Sequence, residues 1–302
     1  MKKILLVFVL SFIALGSYAQ SLEFLNISSD PYSYSMGGNT LTLDANSFTV
    51  TNNASAMSYA EDNMYASVSY MAWQPEILNN NMMGLSGFYR MGKLAVGISG
   101  KYYTHTPYDI TDNLGFVSEM YTPVELSAEV AAAYKLFLGL SVGANIRYTL
   151  SSMIKDGDAS AISADISVSY KLKGLMASVA VTNIGSKIDY GYGPYDLPAM
   201  AKAGVGYKYG INEKNTLLVS AEANYLIYKG GIMAGVGAEY NYNKMISARV
   251  GYHYGDDNAI PSYASAGIGI NIFGVSVNGA YIMGFGDSPV NGSYILSLGY
   301  DF

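Results

Sequence analysis

His105 and His253 are the two imidazoles in a chain of 302 residues that contains no cysteine. Any nucleophilic or metal chemistry would have to be built around them. A hydrolytic site needs a nucleophile or an activated water, a base within hydrogen-bond reach, and a third group that orients the base. Neither histidine has such neighbours at a local spacing, and neither stands near a second ligand at metal-binding separation. Glycine runs such as "GVGAEY" at 235–240 lie inside alternating segments, whereas a phosphate loop needs a helix to follow it. No catalytic, metal or cofactor-binding residue is expected, and the chain does not read as an enzyme.

The elements around these residues are strands. Successive side chains of a strand face opposite sides of the sheet. In 141–150, Val142, Ala144, Ile146, Tyr148 and Leu150 form one face, and Ser141, Gly143, Asn145, Arg147 and Thr149 the other. The same test predicts strands near 63–73, 81–90, 93–103, 125–135, 138–150, 161–171, 175–183, 199–209, 216–226, 231–242, 245–254, 262–272, 275–285 and 293–302. Fourteen is an even number, as bacterial outer-membrane barrels require, and the connections alternate between short links and longer loops, which puts both termini in the periplasm. The tyrosines near strand ends, Tyr102, Tyr103, Tyr207, Tyr209, Tyr240, Tyr242, Tyr252 and Tyr254, are expected to form the interfacial girdles.

Composition agrees. The chain has 33 Gly, 29 Tyr and only 13% charged residues, about half the usual charged share of a soluble domain. Lys2 and Lys3, the apolar run 4–15 and Ser17-Tyr18-Ala19 read as a signal peptide over 1–19, cleaved before Gln20. The expected organisation is a signal peptide at 1–19, an N-terminal segment at 20–62 and an outer-membrane β-barrel at 63–302, in contact with outer-membrane lipid. A net charge of −6 argues against a nucleic-acid partner.

Strand parity turns Arg90, Lys101, Arg147, Lys202, Lys208 and Arg249 inward, together with Glu125, Glu129, Asp165, Glu222, Glu239 and Asp301. Balanced signs predict paired residues in a filled lumen rather than a one-sign selectivity ring. The stretch 28–57 fits neither signal nor strand and is expected to enter the lumen from below as a plug. Gly37 and Gly38, after Met36, would make its tight turn, and Asp44, Asn46, Asn52 and Asn53 would pair with the wall. Gly84 and Gly87 in the second strand would permit a kink. The loop 104–124, with Pro107, Tyr108 and Phe116, is the candidate partner-contact surface, beside Trp73 and Pro75.

The opening "DPYSYSMGGNTLTLDANSFTVTNNASAM" resembles that of the PorV/PorQ family of FadL-like barrels, and is closer to PorV. Met36-Gly37-Gly38, Asp44-Ala45-Asn46-Ser47 and Asn53-Ala54 match its "MG", "DANS"-like and "NPA" motifs in order, with Asn53 where that family usually has Pro. "SYMAW" at 69–73, "YTPVELSAEVAAAY" at 121–134, "ANIRYTLSS" at 144–152, "TNIGSKIDY" at 182–190, "GAEY" at 237–240 and "ARVGY" at 248–252 continue the likeness. The resemblance implies a FadL-like, transmembrane antiparallel β-barrel of about 14 strands with a luminal plug. It also implies a component of the type IX secretion system in the outer membrane of Bacteroidota, one that shuttles cargo bearing a C-terminal signal between translocon and attachment machinery. The alternative it leaves is a FadL-like channel for small hydrophobic molecules.

Overall fold

The computed structural model describes residues 22–112, 114–155 and 157–302, so the expected signal peptide at 1–19 and the cleavage before Gln20 lie outside the described residues. The strands are β1 (Met64–Trp73), β2 (Asn80–Met91), β3 (Leu94–Thr104), β4 (Tyr108–Thr111), β5 (Val117–Tyr121), β6 (Val124–Lys135), β7 (Leu140–Ile154), β8 (Gly157–Leu172) and β9 (Leu175–Gly185). They continue as β10 (Ile188–Asp189), β11 (Pro194–Tyr195), β12 (Met200–Gly210), β13 (Asn215–Leu226), β14 (Ile232–Tyr242), β15 (Ile246–Gly255), β16 (Tyr263–Ile272), β17 (Val275–Gly284) and β18 (Tyr294–Asp301). Fourteen of them close into one antiparallel barrel, in which β1 pairs with both β2 and β18. The expected barrel and its strand count are thus borne out. β4 with β5 and β10 with β11 form separate two-stranded hairpins inside connections read from sequence as loops.

The barrel forms because alternation runs along the wall strands, with apolar residues turned out and one slip near the end of β9. On β7, Ile146 is 60% exposed while Arg147 is 2% exposed. That inverts a soluble sandwich, whose apolar face would be the hidden one. Turn chemistry sets the register at one end: Phe273 and Gly274 both have positive φ, 54° and 81°, the twist a two-residue hairpin turn needs. The other end carries the longer connections, among them the β4–β5 hairpin.

Residues 22–60 are short helical turns and loops, mostly buried, and they touch inward side chains around most of the wall. Pro31–Ser35 forms one helical turn with Pro31 at its first position, and Asp30 Oδ1 accepts from Tyr32 N at 2.9 Å, a cap written in the Asp-Pro pair. Apolar clusters lie at both ends of the interior. Phe24, Ile27, Tyr34, Met71, Trp73, Met82, Tyr103 and Tyr263 pack toward the long loops. Val50, Ala54, Met57, Tyr65, Phe88 and Ala95 pack toward the short turns.

Three sequence expectations are corrected. Trp73 is 3% exposed, with its ring 5.8 Å from that of Tyr34; its parity on β1 turns it inward, so it is no part of an outer contact surface. Tyr103 leaves the girdle for the same reason and packs on Phe24 with ring centroids 6.0 Å apart. Gly84 and Gly87 open no gap in the sheet, because β2 keeps unbroken register with β1 and β3 through both positions.

Val130 stands at mid-strand on β6, 59% exposed. Val130→Arg should destabilise the lipid-embedded barrel by about 2–4 kcal/mol, read as a shift in the denaturant midpoint of refolding into liposomes. The same substitution at exposed Leu138 should leave that midpoint unchanged.

Candidate functional site

The interior is held by three charge clusters. In the first, Arg147 on β7 donates to Glu129 Oε2 at 2.6 and 2.9 Å and to Asp165 Oδ2 at 2.8 Å, and Nη1 donates to Asn183 Oδ1 at 2.6 Å. Asn145 donates to both carboxylates, at 3.2 and 2.9 Å, and Thr51 from the N-terminal segment donates to Glu129. The register between β8 and β9 slips here, with Thr182 and Asn183 lying opposite Asp165. Asn183 has φ 57°, and its N–H donates to Asp165 Oδ1 at 2.6 Å. This is a β-bulge whose extra residue is tied into the ion cluster. Asn183 Nδ2 also donates to Asn26 Oδ1 at 2.9 Å and to the Pro198 carbonyl at 3.1 Å.

In the second cluster, Arg249 Nε donates to Glu239 at 2.6 Å and Nη1 to Asn278 at 2.8 Å. Its guanidinium lies 4.1 Å from the centre of the Tyr32 ring, a cation–π contact that ties the segment to β15. In the third, Glu222 accepts from the backbone N–H groups of Thr40 and Leu41 at 2.7 and 2.8 Å and from Thr40 Oγ1 at 2.9 Å. Lys202 stands 3.8 Å from Glu222 and donates to Thr40 Oγ1 at 2.8 Å.

The remaining inward charges find other partners. Lys208 pairs with Asp44 of the segment at 2.6 Å, and Glu125 pairs with His105 at 2.9 Å. Lys101 is buried and donates to the Ile27 carbonyl at 2.7 Å. Asp301 accepts from Asn271 at 2.7 Å. Arg90 lies at the rim and donates to the carbonyls of Glu61 and Gly92 and to Asn63 Oδ1. Pairing of wall charge with wall charge therefore describes Arg147, Lys202 and Arg249, while Arg90, Lys101 and Lys208 turn to the backbone or to the segment.

Within the segment, Asn53 donates to the Leu41 carbonyl at 2.6 Å and to Ser169 Oγ at 3.1 Å. Asn46 and Asn52 do not reach the wall as expected. Both donate to Asp30 Oδ2, at 3.0 and 3.1 Å, because the helical turn at 31–35 brings the Asp30 carboxylate between them. Burial pushes the Asp30 carboxyl above the ordinary aspartate range, against the pull of Asn46 and the Tyr32 N–H.

Met36 is fully buried, and Gly37 and Gly38 have φ 73° and 78°. A Cβ on Gly37 would stand 2.5 Å from the Tyr252 carbonyl oxygen, and one on Gly237 would stand 2.5 Å from that of Met36. Glycine is thus required on both sides of this contact. His253 is buried, stacks on Tyr263 with ring centroids 4.7 Å apart and places Nδ1 3.3 Å from the Gly37 carbonyl. Among the expected contact residues, Pro75, Pro107, Tyr108 and Phe116 are exposed, Phe116 to 70%.

Fourteen antiparallel strands wrapped around an N-terminal segment define a FadL-like outer-membrane barrel. The toluene transporter TbuX of Ralstonia pickettii superposes with a TM-score of 0.66 at 14% identity, over 92% of this chain and 99% of that one. The toluene transporter TodX of P. putida gives 0.67 at 13% identity, over 89% and 97%, and the monoaromatic hydrocarbon channel CymD gives 0.66 at 14%, over 94% and 99%. No curated protein matches in sequence. The family described as type IX secretion system protein PorV matches residues 17–230, and the chain belongs to that family. Both the family and the barrel class are non-enzymatic kinds of protein.

Arg147→Ala would strand two buried carboxylates and should cost about 3–5 kcal/mol in denaturant unfolding, whereas Arg147→Met combined with Glu129→Gln and Asp165→Asn should recover most of that loss. Gly37→Ala should cost ~1–3 kcal/mol through its backbone angle and crowding, seen as faster protease cleavage within 22–60.

Proposed function

We propose that this barrel is a type IX secretion component that binds secreted cargo bearing a C-terminal signal and shuttles it between translocon and surface-attachment machinery. The observation that carries this reading is the family match over 17–230. The architecture supports it in two ways. Residues 22–60 are fastened to the inner wall by the Arg249–Tyr32, Glu222–Thr40 and Asn53–Ser169 contacts, so in this reading they act as a plug and the work is done on the surface. The long-loop end, extracellular in barrels of this class, carries the β4–β5 hairpin, where Leu114, Phe116, Val117 and Met120 are 60–81% exposed. Apolar and aromatic side chains held out on a hairpin suit a protein partner. Pro107 and Tyr108 flank that surface, and Pro75 stands on the neighbouring loop.

A second reading, a channel for small hydrophobic molecules, draws on the likeness in fold to the toluene transporters and CymD. It would need an apolar path past the segment. The interior cleft beside Asp30, Asp44 and Glu239 is about 170 Å³ and mostly polar, and the one beside Trp73, Leu226 and Ile260 is about 130 Å³.

Deleting the gene and comparing the surface and secreted proteomes with uptake of labelled hydrocarbon separates the two. Loss of signal-bearing cargo from the surface with unchanged uptake is expected, and normal display would sink the secretion reading. Complementation with Leu114, Phe116, Val117 and Met120 all changed to Ser should lower display at least about tenfold while the barrel still folds.

A further inference from the structure

We propose that the short-turn end carries a docking surface for an acidic periplasmic protein, built from Lys93, Lys135, Lys171 and Lys173 around Tyr59 and anchored by the Phe137–Leu138 turn tip. The inference concerns the end of the barrel opposite the long loops and does not depend on the client bound there.

Lys155, Lys187, Lys202, Lys208, Lys229 and Lys244 each stand within 4 Å of a carboxylate. Among the other described lysines, Lys101 donates to the Ile27 carbonyl and Lys214 follows Glu213 in a separate turn. The four that remain without a carboxylate partner are Lys93, Lys135, Lys171 and Lys173. They come from three adjacent turns, "MGKL" at 91–94, "KLFLGL" at 135–140 and "KLKGL" at 171–175, none of which contains an acidic residue. Backbone bonds hold the turns side by side, with Lys135 N donating to the Lys93 carbonyl at 2.8 Å and Lys171 N to that of Gly139 at 2.9 Å.

At the centre sits Tyr59, the last residue of the helical turn that ends the luminal segment. Its hydroxyl lies 2.5 and 2.7 Å from the carbonyl oxygens of Gly139 and Ser169, with its one proton shared between them. The ammonium groups of Lys135 and Lys171 lie 5.5 and 5.9 Å from its ring centre. Burial pushes the phenol up to about 12, so it offers these cations a neutral ring and no anion.

Two observations favour a protein over lipid headgroups. Lys135 and Lys171 follow the inward parity of β6 and β8, whereas the outward neighbours Tyr134 and Tyr170 belong to the lipid-facing girdle. The charges thus point to the aqueous mouth, away from the bilayer. Beyond the girdle, Phe137 and Leu138 are 65% and 82% exposed, and Leu138 is held at φ 46°. An aromatic tip ringed by unpaired cations is complementary to a carboxylate-rich surface with a shallow apolar pocket. The loops of the opposite end hold Asp109, Asp112, Asp256, Asp257 and Asp287, while their lysines Lys155, Lys187 and Lys229 are each paired with a carboxylate, which disfavours an acidic partner there.

The test uses the full-length barrel in phosphatidylcholine nanodiscs and a fluorescent oligoglutamate peptide. Binding should weaken as salt is raised, and should fall at least about tenfold in K135E/K171E/K173E. The exposed pair K93E/K173E, which leaves the Tyr59 contacts intact, should lose several-fold. In cells, a photo-cross-linker placed at Leu138 should give a protein adduct that disappears when the triple reversal is added. Equal peptide binding by wild type and both variants would overturn the proposal. So would an adduct that survives charge reversal, or cross-links to phospholipid alone.

Discussion

A barrel of fourteen strands encloses more space than its own inward side chains can fill, and lipid on the outside reserves the apolar residues for the outer face. The lining is left with serine, glycine, asparagine and charge, and each of these polar groups needs a partner once bulk water is excluded. Residues 22–60 meet much of that need. They offer backbone N–H groups to Glu222, a phenyl ring to Arg249, a hydroxyl to Glu129 and a carbonyl to Lys101. They also bring Phe24, Tyr34, Val50 and Met57 to build apolar cores at the two ends of a polar middle. The core of this protein is consequently shared between two parts of the chain, neither of which holds one alone.

The Arg147 cluster shows how this need shapes the wall itself. A guanidinium with two carboxylates has donors and acceptors to satisfy in a fixed plane. The regular ladder of β8 and β9 provides no further amide where Asp165 needs one. The bulge at Thr182–Asn183 turns Asn183 into that position, where its backbone N–H, side-chain Oδ1 and side-chain Nδ2 each find a partner. The irregular step in the sheet is thus a product of the electrostatics inside it.

The wall was legible in the sequence because period-two alternation runs along the wall strands, broken on β9 only near its end. The inward charges were legible for the same reason, since parity alone assigns a side. Partner choice was not, because it depends on where an irregular segment brings its carbonyls and hydroxyls. Asn46 and Asn52 look equivalent to Asn53 by type, yet they close on Asp30. The Asp30-Pro31 pair is itself a helical start signal, with aspartate at the cap and proline at the first helical position. The bulge also left a mark: on β9 the outward apolar residues run Val179, Val181 and then Ile184, a slip of one place. Trp73 illustrates the opposite hazard. An aromatic at a strand end suggests an interface, but its parity with Met71 and Ser69 already turned it inward.

The seam between β1 and β18 bears on the order of events during assembly. Met64 N donates to the Phe302 carbonyl at 2.8 Å and Phe302 N to the Met64 carbonyl at 3.0 Å, so the cylinder closes where the first wall strand meets the last. Residues 22–60 precede every wall strand in the chain and finish inside. Until that seam zips up the lumen is open along one side, which gives the segment a lateral way in beside the entry from below. The stretch ahead of the wall then serves as the mandrel on which the wall is wound.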